Sequence, residues 1–173
     1  LATVREVNRR WAVGPDDRAL GLSALNFDLS VYDIFGPLAV GGAVVLPAPE
    51  ANRDPAEWAR LLVEHRVTLW NTVPALMAMQ VEHGLPAGHA LRLVLMSGDW
   101  VPLDLIPRLR AQAPEAELVA LGGATEAAIW SNAHAIGDLD PAWPSVPYGL
   151  PLDGHMLHVV NDRGEPCPDW TVG

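Results

Sequence analysis

One cysteine, Cys167, stands among 173 residues. No disulfide and no cysteine-rich metal site can form within the chain, and a reducing compartment matches this usage. Basic residues are scarce too. Eleven Lys and Arg face twenty-one Asp and Glu, for a formal net charge of -10 and a pI of about 4.8. Those eleven are scattered singly or in short pairs, which excludes a surface that tracks a polynucleotide backbone. A small phosphate ligand is not excluded, because backbone amides, one hydroxyl and a metal suffice for it. No stretch is apolar and long enough to span a bilayer, and the start does not resemble a signal peptide; the expectation is a cytoplasmic protein. Internal repeats and low-complexity linkers are absent as well. Leu1 opens in mid-pattern without an initiator Met and the chain stops at "DWTVG", so the expectation is a piece of something longer.

Apolar residues, by contrast, make up 50% of the chain, enough to bury the core of one ordinary domain. They fall into an alternating rhythm. "LATVREVNRRW" has helical spacing, and "ALGLSAL" from Ala19 to Leu25 reads as a buried strand. "SVYDIFGPLAVGG" reads as a helix in which Ser30 and Asp33 resemble a capping box and Gly41-Gly42 supply the stop. "AVVLP" follows as strand, "DPAEWARLLVEH" as helix, "VTLW" as strand, and "PALMAMQVEHG" as helix with Pro74 near its first turn. "LRLVLMSG", "PLDLIPRLRAQ" and "ELVALGG" complete the series as strand, helix and strand. Such alternation predicts crossover connections and a parallel sheet covered by helices on both faces. After Trp130 the rhythm changes, and "SNAHAIG" and "HMLHVVNDRGEPCP" read as antiparallel strands, the second turning at Asp162-Arg163-Gly164. The fold class is α/β, a mostly parallel sheet flanked by helices with an antiparallel β portion toward the C-terminus.

Ligands of open parallel sheets sit beyond the carboxyl ends of the strands. That rule selects "NFDLS", "WNTVP", "MSGDW" and "LGGATE". In "GGATE", two glycines let backbone approach a ligand and Thr125 adds a hydroxyl. Glu126 beside a phosphate makes sense if Mg²⁺ lies between them, since that hard ion takes both kinds of oxygen; the plainer reading is a glycine turn with Thr125 capping the next segment. Asp28 reads either as a carboxylate favoured by a helix N-terminus or as a fixed anion for a substrate ammonium. The six histidines do not cluster, and His155 and His158, three apart on an expected strand, would point to opposite faces. The tryptophans read as core and rim packing, with Trp130 the exception.

"NFDLSVYDIFGPLAVGGAVVLP", "LVLMSGDWVP" and "LGGATEAAIWS", in this order and spacing, resemble the core of an adenylation domain of a nonribosomal peptide synthetase, within the adenylate-forming superfamily that also holds acyl-CoA ligases and luciferases. The resemblance covers essentially the whole chain. It implies activation of an amino acid by ATP to an aminoacyl adenylate with release of pyrophosphate, then transfer to the phosphopantetheine thiol of a carrier domain. It assigns Asp28 to the substrate ammonium, Thr125 to phosphate and Glu126 to Mg²⁺, with Thr125 and Glu126 as the catalytic pair. The implied side-chain pocket is Asp28, Leu29, Tyr32, Asn71, Leu95, Ser97, Leu121, Ile129 and Trp130, a set resembling that associated with cysteine. Its apolar wall suits a small polarisable thiol, while serine would be only weakly discriminated.

Two departures stand out. The common motif carries Tyr in the place of Gly122 and Pro in the place of Ala124, and that Tyr usually stacks on adenine; here backbone at Gly98, Gly122 and Gly123 and other side chains must hold the base. The "GGATEA" form resembles synthetases that activate and cyclise cysteine, including those making thiazoline siderophores. Residues 1–130 would be the substrate-pocket portion and 131–173 a β-rich portion. The family's phosphate loop is expected before Leu1, and its ribose-gripping aspartate and catalytic lysine after Gly173, so the chain alone should not form adenylate at a useful rate. Implied partners are the carrier and the condensation or cyclisation domains of the same assembly line, with a small helper protein as a further candidate. The competing readings are an acyl or aryl acid ligase, which has no ammonium for Asp28 to pair, a noncatalytic specificity module, and, on fold analogy alone, a flavodoxin-like nucleotide binder.

Overall fold

The computed structural model describes residues 1–168 and Thr171. Its helices are α1 (Ala2–Arg10), α2 (Leu29–Leu38), α3 (Pro55–Glu64), α4 (Pro74–His83) and α5 (Leu105–Gln112). Its strands are β1 (Arg18–Leu20), β2 (Ala43–Val45), β3 (Leu69–Thr72), β4 (Leu93–Met96), β5 (Glu117–Gly122), β6 (Asn132–Ala135) and β7 (Leu150–Pro151). All described strands join one sheet in the order β2-β1-β3-β4-β5-β6-β7. The first five are parallel, and β6 and β7 extend the edge antiparallel.

The sheet is parallel because every strand from β1 to β5 is followed or preceded by a helix that must bury an apolar face against it. Strands β3 and β4 are buried at every position, and their successive side chains feed opposite cores. Val94 and Met96 pack with Trp58, Met77 and Ile106 of the α3, α4 and α5 layer. Leu93 and Leu95 pack with Val7 and Tyr32 of the α1 and α2 layer. That two-residue period is the pleat of a strand covered on both sides. Local chemistry sets the helix starts: Asp54 accepts a 2.9 Å hydrogen bond from the Ala56 amide with Pro55 at the first helical position, and Pro74 opens α4.

The amino ends of three strands are tied by charge. Arg92 donates from Nε to Asp17 Oδ1 at 2.9 Å and from Nη2 to Oδ2 at 2.6 Å. Thr68 Oγ1 and the Gly14 amide add bonds of 2.6 and 2.9 Å to the same carboxylate. Burial works to raise the Asp17 pKa, but the Arg92, Thr68 and Gly14 hydrogen bonds outweigh it and hold the carboxyl below its ordinary value.

Three expectations are corrected. The strand expected over Ala19 to Leu25 ends at Leu20, because the chain turns away at Gly21, where a Cβ would lie 2.9 Å from Leu46 Cδ2, and Leu25 is 83% exposed. Ser30 and Asp33 form no capping box: α2 starts at Leu29, Ser30 Oγ donates to the Phe27 carbonyl at 2.7 Å, and Asp33 turns inward to Ser23 and Asn71. The helix ends at Leu38, ahead of the glycine pair. The expected strand does not reach His155 and His158: antiparallel pairing is confined to the residues around the predicted turn, where a Val160–Pro166 bridge is flanked by bonds from the Cys167 amide to the Val159 carbonyl at 2.8 Å and from the Asn161 amide to the Glu165 carbonyl at 3.0 Å, with the Gly164 amide closing on the Asn161 carbonyl at 2.8 Å. Trp170 lies outside the described residues.

Candidate functional site

Parallel order β1-β3-β4-β5 brings the four predicted segments to the carboxyl ends of adjacent strands. Asp28 sits at the start of α2 but makes no capping bond. Its Oδ2 instead accepts a 2.6 Å hydrogen bond from Thr125 Oγ1. Thr125 opens a 3-10 turn, Thr125–Ala127, whose capping position belongs to Ala124; Thr125 therefore does not cap the segment that follows it. Glu126 is exposed beside it.

The turn is ended by two residues in the left-handed region, Ala128 at φ 61° and Ile129 at φ 75°. A β-branched residue there is a true outlier, costing about 1–3 kcal/mol that surrounding packing must offset. Its effect is to send Ile129 and Trp130 back into the core, where they join Leu29, Tyr32, Leu95 and Leu121. The Tyr32 and Trp130 rings lie 4.9 Å apart at 58°, and Trp130 Nε1 donates to Ser97 Oγ at 3.0 Å. Eight of the nine predicted pocket residues are buried, and Asp28 at the rim is half-buried.

Polar groups beneath this wall are fixed in turn. Tyr32 donates to Asn8 Oδ1 at 2.9 Å, and Asn8 Nδ2 donates to the Gly36 carbonyl at 2.7 Å. Burial pushes the Tyr32 phenol well above its ordinary value. Asn71 Nδ2 donates to the Leu29 carbonyl at 3.2 Å and to Asp33 Oδ1 at 2.8 Å. Its own Oδ1 is buried with no protein partner. Asp33 was not foreseen as part of this support. Burial pushes its carboxyl up to about 6, against the Ser23 and Asn71 hydrogen bonds that favour the ionised form. An apolar groove of about 310 Å³ beside Asp33, lined by Leu25, Ile34, Leu38 and Leu46, lies outside the predicted set.

The glycines behave differently from one another. A Cβ on Gly123 would lie 2.5 Å from the Ile129 carbonyl oxygen and 2.6 Å from Trp130 Cα, so this glycine exists for the returning turn. A Cβ on Gly122 would lie 2.5 Å from Tyr148 Cζ. Gly98 adopts φ 82°, with Phe27 Cζ 3.4 Å from where its Cβ would be. Tyr148 was missed by sequence reasoning; its only local signal is an aromatic set within "SVPYGLP".

Among the described residues no group of three or more His, Cys, Asp or Glu is placed to hold a metal. A single carboxylate at Glu126 still fits Mg²⁺, which is commonly held by one or two carboxylates together with substrate phosphates. Among the described residues no helix is long and apolar enough to cross a membrane.

Residues 1–173 match the family model described as AMP-binding enzyme. The chain belongs to that family of adenylate-forming ligases, and its relatives place it with the adenylation cores of nonribosomal peptide synthetases. It is 47% identical over its whole length to the anguibactin system regulator of Vibrio anguillarum and spans 17% of that protein. It is 51% identical over 93% of its length to pyochelin synthetase PchE of Pseudomonas aeruginosa and spans 11% of it. Among solved structures, the nonribosomal peptide synthetase FmoA3 (S1046A) in its α-methyl-L-serine-AMP bound form superposes with a TM-score of 0.92 at 47% identity, over 98% of this chain and 20% of that one.

Proposed function

We propose that this chain contributes the substrate pocket and part of the nucleotide site of an enzyme that couples a small amino acid, L-cysteine first, to AMP. The observation that carries the reading is the Thr125–Asp28 hydrogen bond, because it sets the expected phosphate contact and the expected ammonium anchor side by side. In a substrate complex the ammonium supplies Asp28 with a new donor and the Thr125 hydroxyl turns to a phosphate oxygen. The substrate carboxylate then attacks the α-phosphorus, and the bond to pyrophosphate breaks. Glu126 would hold Mg²⁺, which neutralises phosphate charge when bound. Backbone at Gly98, Gly122 and Gly123 borders the base.

Support for cysteine comes from the wall. Leu29, Leu95, Leu121, Ile129 and Trp130 are all buried, an apolar wall that suits a polarisable thiol, while the unpartnered Asn71 Oδ1 is an acceptor available to a substrate thiol or hydroxyl alike. Serine-like substrates remain the competitor, as the α-methyl-L-serine-AMP complex of FmoA3 illustrates for that protein. The acyl product would pass to the phosphopantetheine thiol of a carrier domain in the same assembly line, the partner expected for this class.

The test is exchange of labelled pyrophosphate into ATP by the intact parent protein, with cysteine, serine, alanine and an aryl acid in parallel. Strongest exchange with cysteine is expected. Exchange with the aryl acid alone moves the protein to the acid-ligase reading, and none with any substrate moves it to a noncatalytic module.

A further inference from the structure

Tyr148 precedes β7 with 62% of its surface exposed, yet its position is fixed at three points. Its carbonyl accepts a hydrogen bond from the buried Asn132 side chain. Gly149, which follows, sits at φ 88° with the backbone of Ala133 and His134 filling the place of a Cβ, so the loop is pressed against β6. The ring itself lies across Gly122, with Cζ and Cε1 2.5 and 2.6 Å from where a Cβ would stand. Any side chain at 122 would compete with the phenol for the same space. The missing side chain of β5 is therefore replaced by one delivered from a distant loop.

Where that ring stands matters. Gly122 is three residues before Thr125. The β4–β5 pairing runs to Met96 and Ala120, two residues before Gly122, so the ring stands at the carboxyl end of the sheet. β5 thus ends with an aromatic ring over Gly122 and exposed backbone at Gly123, two residues before the hydroxyl assigned to phosphate. An aromatic that leaves most of its surface in solvent has area still to bury, and a flat apolar ligand would cover it. Bases stack on such faces whatever their hydrogen-bonding edge.

We infer that Tyr148 is the platform for the purine of ATP in this protein, an assignment that rests on the ATP-dependent reading above. The ring supplies stacking area, and Gly122 is glycine because the ring requires the space.

The experiment compares wild type, Tyr148→Phe and Tyr148→Leu in the intact parent protein. It measures KM for ATP and for the amino acid in pyrophosphate exchange, inhibition by inorganic tripolyphosphate, and calorimetric binding of ATP. Tyr148→Leu should raise the ATP KM and dissociation constant about tenfold while leaving the amino-acid KM and tripolyphosphate inhibition unchanged. Tyr148→Phe should stay within about twofold of wild type, since the face and not the hydroxyl is used. An unchanged ATP KM in Tyr148→Leu overturns the assignment. So does a parallel loss of ATP, tripolyphosphate and amino-acid affinity, or loss of the cooperative thermal transition, because each makes the ring's role structural. A wild type that binds ATP without exchanging pyrophosphate removes the adenylation reading and leaves Tyr148 to be decided by calorimetry; one that binds no ATP removes both.

Discussion

Thr125 and Asp28, 97 positions apart in sequence, are joined by a 2.6 Å hydrogen bond between hydroxyl and carboxylate. Neither group uses its local opportunity as a helix or turn cap. Each is held ready by the other, and a bound ammonium would take over the Asp28 side of the pair.

Asp28→Asn should therefore preserve the fold, since an amide oxygen still accepts from Thr125, while removing the charge that pairs the substrate. The loss of a charge-assisted hydrogen bond predicts a rise of about 10- to 100-fold in the amino-acid KM with little change for ATP. Pyrophosphate exchange against amino-acid concentration checks this, and an unchanged KM would remove Asp28 from the site.

Asp33 makes stability depend on pH in an uncommon direction. Its carboxyl, 2% exposed, is pushed from 3.8 up to about 6 by burial. The folded state thus holds the proton more tightly than the unfolded one. The associated stability is complete below about pH 3.8 and is lost as pH rises through about 6, amounting to about 3 kcal/mol for that shift. Asp17 acts oppositely, with stability present above pH 3.8 and lost as pH falls through its lowered folded value, so its window does not overlap. Urea midpoints followed from pH 4 to 7 should fall for wild type and stay flatter for Asp33→Asn, whose Oδ1 can still accept from Asn71.

Arg92→Ala should destabilise the chain by about 2–3 kcal/mol. Asp17 would remain buried with an uncompensated charge, and the partial exposure of Arg92 tempers the loss. Arg92→Lys should recover only part of it, because a single ammonium cannot reproduce the forked contact. Thermal midpoints of the two variants order these effects.

Gly122→Ala and Gly123→Ala should separate. The added methyl at 123 meets backbone of Ile129 and Trp130, which has nowhere to go, whereas the one at 122 meets the side chains of Tyr148 and Asn132. A loss of about 1–3 kcal/mol is expected for Gly123→Ala and less for Gly122→Ala. Denaturant titration reads the stabilities; equal losses would mean the Tyr148 ring cannot give way.

Strands β4 and β5 were legible because they are short apolar runs between helices, buried on both faces, whereas β3 runs on past the expected "VTLW" through the buried polar pair Asn71 and Thr72, which apolar patterning could not include. The segment after Gly21 misled through the same patterning: "LSAL" is apolar, but no neighbouring strand continues to pair it, and Leu25 ends in solvent. Ser30 and Asp33 had the spacing of a cap, yet Asn71, 38 residues on from Asp33, claims the carboxylate. The end of the chain misled through its turn, whose pairing stops short of His155 and His158. Tyr148 left no trace near Gly122 because the space of a missing side chain can be filled from anywhere in the sequence, and only the folded chain brings the two together.

The left-handed backbone at Ile129 bears on any effort to change what this pocket accepts. Position 129 carries a side chain whose shape fits the wall but whose branching opposes that conformation, so a substitution there changes the wall and the backbone strain at once. Replacing Ile129 by glycine or asparagine enlarges the pocket and relaxes the loop together, and an altered substrate profile there would report both changes. Leu95 and Leu121, on regular strand backbone, are the positions at which side-chain size can be varied with the loop held constant.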